Sequence, residues 1–244
     1  MHWLLWVAAT LLVVYAITAA WCKRRRKIPN LGPSRFAEAV GIHPYTSREM
    51  LWEQMTGIRP PPTESEAMRW GILNEPKALE IYSICKYSLY VQKECRRFSH
   101  PQYPWLVGIP DALVFRRDGY PWPEGVVEVK CPWNRGDTDT AVPHQTLDRA
   151  YYYIPQIQGY MELCNTDYCD LCSFTPKGTN ILRFRRDRRY WALVLEALKD
   201  FREDVVRNRR PKGKHPSADH LQELSVNMQF EVIYSEDGVG CFDT

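Results

Sequence analysis

The chain has 244 residues, 45% hydrophobic and 25% charged, the composition of one ordinary soluble core. A formal net charge of +3 is too small to argue for nucleic acid from bulk charge alone, so the distribution has to be read instead. Basic residues cluster at Lys23 to Lys27, Arg183 to Arg189 and Arg207 to Lys214, whereas the stretch after Ala218 is mildly acidic.

The first element in the chain is the outlier. Trp3 to Cys22 is an uncharged run of about twenty residues, long enough to cross a hydrocarbon core of roughly 30 Å as a helix. The charge follows it, at Lys23 to Lys27, where a signal peptide would carry charge before its apolar run. Residues 1–27 therefore read as a hydrophobic membrane anchor with a basic flank, leaving the remainder on the cytosolic side. A signal peptide or a mis-assigned start are the alternatives, and the last would make the protein a soluble intracellular one.

Next, Ser34 precedes the apolar-periodic segment Phe36 to Val40, which it could cap, and Gly41 could stop it. A second helix fits Ser47 to Thr56 before the Pro60 to Pro62 run. Between Glu64 and Tyr90, apolar residues recur at helical steps, with Glu75 just before Pro76 at a kink or first turn. From Tyr103 the period becomes that of strands: Trp105 to Pro110, Ala112 to Phe115, and Gly125 to Lys130. A polar stretch, Asn134 to His144, leads to a helix over Leu147 to Leu163. Strands at Tyr168 to Phe174 and Asn180 to Phe184 follow, then a long helix, Arg188 to Asn208. The expected fold class is α/β: a central mixed β-sheet flanked by helices, after an N-terminal hydrophobic helix. Its expected divisions are 1–27, a domain at 28–215 and a tail at 216–244.

Chemistry concentrates at Asp111 and, seventeen positions on, Glu128-Val129-Lys130. Strand alternation sends Glu128 and Lys130 to one face and Val129 to the core. Two carboxylates on adjoining strands can hold Mg²⁺, a hard cation that keeps several waters, and the Val129 carbonyl could add an oxygen. Such an ion lowers the pKa of a coordinated water, which the Lys130 ammonium could orient toward a phosphodiester. In isolation, Glu and Lys two apart on a strand are more often just solvated.

Further segments narrow that choice. Arg69-Trp-Gly-Ile-Leu-Asn-Glu-Pro-Lys-Ala-Leu, Gly108-Ile-Pro-Asp-Ala-Leu-Val, Val127-Glu-Val-Lys-Cys-Pro and Tyr151-Tyr-Tyr-Ile-Pro-Gln-Ile-Gln-Gly-Tyr-Met occur in that order. With Ser34 to Ile42 and Tyr168 to Pro176, they resemble the YqaJ viral recombinase family, a lambda-exonuclease-like branch of the PD-(D/E)xK nucleases. The resemblance implies a restriction-endonuclease-like core and Mg²⁺-dependent hydrolysis of DNA, with Mn²⁺ able to substitute. It implies 5′–3′ digestion of duplex ends in recombination or repair, a ring-shaped homo-oligomer and a single-strand annealing partner.

By position, it makes Asp111, Glu128, Val129 and Glu75 the metal contacts, Glu75 either directly or through water. Lys130 becomes the catalytic lysine and Gln156 the glutamine of a QxxxY motif completed by Tyr160. Ser34 matches a serine that grips a 5′ phosphate, helped by an upstream arginine, here Arg25 or Arg26; Arg69 and Tyr160 join the expected DNA contacts. Ile109 departs from the family, which commonly has Ser before the Pro-Asp pair. A structure-specific endonuclease, or a membrane-tethered module that binds DNA or a partner without cutting, are the competing readings.

Cys169 and Cys172 lie three apart on an expected strand, hence on opposite faces, and with Cys164 lack a fourth ligand. Buried free thiols are expected rather than a zinc or iron–sulfur site. The histidines show no paired spacing and read as surface or loop residues. Arg183 and Arg185 are expected on a solvent face, available for phosphate contacts.

Overall fold

Alternating apolar residues build the strands that organise the molecule, seen here in a computed structural model. It describes residues 28–86, 89–118, 121–133, 143, 147 and 150–235. The strands are β1 (Leu89–Lys93), β2 (Phe98–Ser99), β3 (Val107–Gly108), β4 (Ala112–Arg116), β5 (Gly125–Lys130), β6 (Tyr168–Thr175), β7 (Gly178–Arg185) and β8 (Phe230–Ser235). Six form one mixed sheet in the order β1-β4-β5-β6-β7-β8, and β2 and β3 pair separately. Among the described strand pairs of this sheet, only β5 and β6 run parallel. A parallel pair needs a crossover, and the segment carrying helix α4 (Ile154–Cys164) supplies it.

The other helices are α1 (Phe36–Val40), α2 (Arg48–Thr56), α3 (Glu66–Cys85), α5 (Arg188–Val206) and α6 (Ala218–Val226). The sheet separates two apolar clusters. One face buries Leu113, Val126, Leu171 and Phe184 against α1, α2, α4 and α5, with Phe36, Trp52, Ile157 and Phe201 among the contacts. The other buries Ala112, Val114, Val127, Val129 and Cys172 under Ala78, Leu79 and Tyr82 of α3. Period-2 alternation on β4 and β5 thus feeds two cores.

Local signals fix the boundaries. Ser47 and Ser65 cap α2 and α3 by accepting the amides of Met50 and Met68 at 3.1 and 3.2 Å. Gly41, at φ 96°, ends α1 in the left-handed region as expected. Several expectations need correction. Ser34 caps nothing: it lies inside a 3-10 turn, Pro33–Arg35, whose leading proline already fixes the entry to α1. The helix expected from Leu147 starts at Ile154, because Pro155 belongs in a first turn; a 3-10 turn, Tyr151–Tyr153, precedes it. Pro76 lies inside α3, not at its first turn, and the pattern extended to Tyr90 ends at Cys85. The segment 216–244 is not simply a tail, since α6 and the sixth strand β8 fall within it.

Among the described residues, no helix is long and apolar enough to cross a membrane. The expected anchor, Trp3 to Cys22, and Arg25 and Arg26 lie outside the described residues.

Candidate functional site

The site forms where β4 begins and β5 ends. Pairing of Ala112 with Val127 brings Asp111, one residue before β4, beside the end of β5, where its Oδ2 accepts the Val129 amide at 2.7 Å. Val129 points into the α3-side core, and Glu128 and Lys130 project to the opposite face, as alternation requires. There α4 covers them. Gln156, in its first turn, donates its amide Nε2 to Glu128 Oε1 at 2.5 Å, and Lys130 Nζ donates to the same oxygen. Glu128 is 3% exposed and its Oε2 has no hydrogen-bond partner. Lys130 Nζ also lies 4.9 Å from the centre of the Tyr153 ring, a cation–π distance.

Close approach of backbone explains the docking of α4. A Cβ at Gly159 would stand 2.5 Å from the Phe36 ring, and one at Gly108 would meet Pro33 at 2.7 Å and Tyr160 at 3.0 Å. Glycine at both positions lets α4 sit against the Pro33–Arg35 turn and β3. Tyr160 then donates to the Ile109 carbonyl at 3.0 Å, two residues before Asp111.

Charge in this enclosed corner is unbalanced. Burial, then the Glu128 charge, push the Asp111 carboxyl up to about 8, against the pull of Lys130 and the Val129 amide. Burial works to lower Lys130, but Glu128 and Asp111 outweigh it and hold the ammonium above its ordinary value. Lys130 is a hydrogen-bond donor to Glu128 here.

An open groove of about 790 Å³ runs over these groups, and Ser34, Glu75, Asp111, Glu128 and Lys130 all line it. Glu75 enters from α3, on the other side of the sheet, and its Oε1 is held by Lys93 Nζ at 2.8 Å. Two expected DNA contacts stand differently. Tyr160 is 6% exposed, with its hydroxyl on a backbone carbonyl, and so braces the Asp111 turn. Arg69 is exposed on α3 and faces Glu64 at 3.6 Å.

Sequence reasoning missed Lys93 and the rim formed by Tyr45, Tyr152 and Tyr153. Alternation within Leu89–Lys93 was the available signal for Lys93; Tyr152 and Tyr153 lay within the quoted Tyr151 motif without a role assigned, and Tyr45, from a distant segment, offered none.

The donor set fits a hard divalent cation. Glu128 Oε2 is buried and, among the described residues, unpartnered, and the Glu128 charge raises Asp111 even with Lys130 alongside, so a further cation between the two carboxylates would be favoured. Among the described residues no three His, Cys, Asp or Glu side chains converge to hold a metal by themselves. Glu75 is accordingly not gathered with the pair here; its carboxylate is held by Lys93.

Elsewhere the basic run is mostly neutralised. Arg183 is not on a solvent face: it forms two bonds, at 2.7 and 2.8 Å, to the fully buried Asp170. Arg185 pairs with Glu231 and Arg186 with Glu162. Cys169 and Cys172 enter opposite cores as free thiols, as expected. His43, His100 and His215 sit in loops, but the last two are buried; in all three, Nδ1 accepts backbone amides of the following turn.

The sequence profile of the YqaJ-like viral recombinase domain matches residues 20–168. No curated protein matches the chain in sequence. Among solved structures, the alkaline exonuclease LHK-Exo from Laribacter hongkongensis is similar at a TM-score of 0.57 and 20% identity, covering 82% of this chain and 95% of that one. LHK-Exo in complex with dAMP gives a TM-score of 0.58 at the same identity and the same coverage of 82% and 95%. At that identity the likeness is one of fold.

Proposed function

The chain belongs to the YqaJ-like viral recombinase domain family, and from that premise we propose that it is a divalent-metal-dependent deoxyribonuclease, a 5′–3′ exonuclease on duplex ends. One observation carries this reading: Asp111, Glu128, Lys130 and Gln156 share a corner in which a buried Glu128 oxygen lacks a partner. The similar fold of an alkaline exonuclease, crystallised with a mononucleotide, supports it.

In this mechanism Asp111 and Glu128 would hold Mg²⁺ or Mn²⁺. Either ion would supply Lewis-acid polarisation of the phosphoryl group and make water a better nucleophile. The Val129 amide fixes one Asp111 oxygen, and Gln156 fixes Glu128 Oε1, so that Oε2 keeps its direction. Lys130, held protonated by both carboxylates, orients the attacking water and donates to the phosphoryl oxygen where charge develops. Water oxygen bonds to phosphorus as the bond to the leaving 3′-oxygen breaks; the water proton passes to solvent and the 3′-oxygen takes one up from solvent, leaving a 3′-hydroxyl and a 5′-phosphate. Ser34, on the groove wall, would meet the terminal 5′ phosphate. Arg25 would assist it, and the domain would extend from residue 28 through β8.

The test is digestion of end-labelled linear duplex and of closed circular DNA by the full chain, with Mg²⁺, Mn²⁺ or a chelator. Linear DNA should be degraded only with metal, and Asp111→Ala or Lys130→Ala should lose at least about 100-fold in rate. Cutting of the circle would favour an endonuclease. Linear DNA left intact with metal would refute the enzymatic reading, and localising the full-length chain tests the role of Trp3 to Cys22.

A further inference from the structure

Glu75 lines the groove beside Asp111 and Glu128, yet its carboxylate is already engaged. The residue that engages it is placed by the sheet. Lys93 closes β1 directly opposite Ala112, and residues opposite one another in an antiparallel pair share a face. Ala112 and Val114 pack under Tyr82 of α3, so Lys93 rises on the α3 side, where Glu75 descends. Glu128 and Lys130 occupy the other side. Backbone ties Lys93 to the site as well, since the amide of Glu94, the next residue, donates to the Asp111 carbonyl at 3.2 Å.

A lysine whose side chain is 57% exposed contributes little to folding through one ion pair. Its hold on Glu75 bears on the site instead: with that carboxylate engaged, no three acidic side chains converge among the described residues. Resting on the nuclease reading above, we propose that Lys93 is a positioning residue that withholds Glu75 from the metal pair. A divalent cation seated by Asp111 and Glu128 then competes with the Lys93 ammonium for Glu75. The site is two-carboxylate at rest and gains its third when Lys93 lets go.

The experiment measures Mn²⁺ bound to the full chain by the paramagnetic resonance signal of the free ion, without DNA. Lys93→Met should tighten Mn²⁺ binding about two- to fivefold, the factor released with one exposed ion pair. Lys93→Arg, which keeps charge and donor, should stay near wild type. Glu75→Gln should weaken binding, and adding Lys93→Met to it should then change nothing. Thermal melts check that every variant folds. Unchanged affinity in Lys93→Met would overturn the proposal, and so would equal tightening in the Glu75→Gln background, which would be simple removal of a nearby charge. Wild-type protein that binds no Mn²⁺ would sink the nuclease reading and this proposal together; wild-type binding without a Lys93 effect would sink this proposal alone.

Discussion

Asp111 is the residue whose state depends most on its surroundings. Its folded carboxyl titrates at about 8 against 3.8 for the unfolded reference, so below about pH 4 it is protonated in both states. As pH rises from there toward 8, the unfolded chain releases its proton and the folded one retains it, so stability falls. In chelator, the wild-type melting temperature should decline over this window more steeply than that of Asp111→Asn, which has no such proton. Mg²⁺ should raise the wild-type midpoint more at pH 8 than at pH 6, because binding displaces the proton. Equal Mg²⁺ effects at both values would argue against a cation on Asp111. Gln156 acts through Glu128, and Gln156→Ala should cost about 10- to 100-fold in metal affinity, read by Mn²⁺ titration. The strand face shared by Glu128 and Lys130 was legible in the sequence because it follows from backbone geometry. The grip of Lys93 on Glu75 was not, since it joins residues eighteen apart through a helix and a strand whose relative placement depends on the whole sheet.

At the level of elements, α3 is secured by a buried polar network, not only by apolar contact. Tyr82 donates to Asp170 at 2.6 Å, Arg183 grips the same carboxylate, and its guanidinium lies 3.7 Å from the centre of the Tyr168 ring. Removing Asp170 with Asp170→Ala leaves a largely buried Arg183 unpaired and should destabilise by about 3–5 kcal/mol in urea melts. Tyr82→Phe should cost about 1–3 kcal/mol. Comparable values for the two would show that Arg183 finds another partner. Helices with a clear capping residue, such as α2 behind Ser47 and α5 behind Asp187, were readable from pattern alone. β1 was not, because Leu89 to Lys93 follows a helical run without a proline or glycine and exposes most of one side. β8 escaped for another reason: its pairing with β7 is non-local, and a register shift at Ile181/Leu182 breaks the simple alternation.

For the whole molecule, the family match ends at residue 168, on the first residue of β6, whereas the sheet continues through β7 and β8. The fold class was legible because two periods, 2 and 3.6, alternate along the chain; its extent was not. A chain stopped after His215 loses β8 from the sheet and the Ser225 hydroxyl that meets buried Tyr190 at 2.8 Å. It should lose cooperative unfolding by circular dichroism; a melt matching the full chain would show that α6 and β8 are accessory.

The sheet also works as a partition wall. Glu128, Lys130 and Gln156 belong to the compartment of α4 and α5, while Glu75 and Lys93 belong to that of α3. Damage confined to the α3 compartment should therefore alter the appetite for cations before it touches the lysine. A protein softened there would still hold its chemistry in register while demanding more metal, a failure in two stages from a site that looks like one.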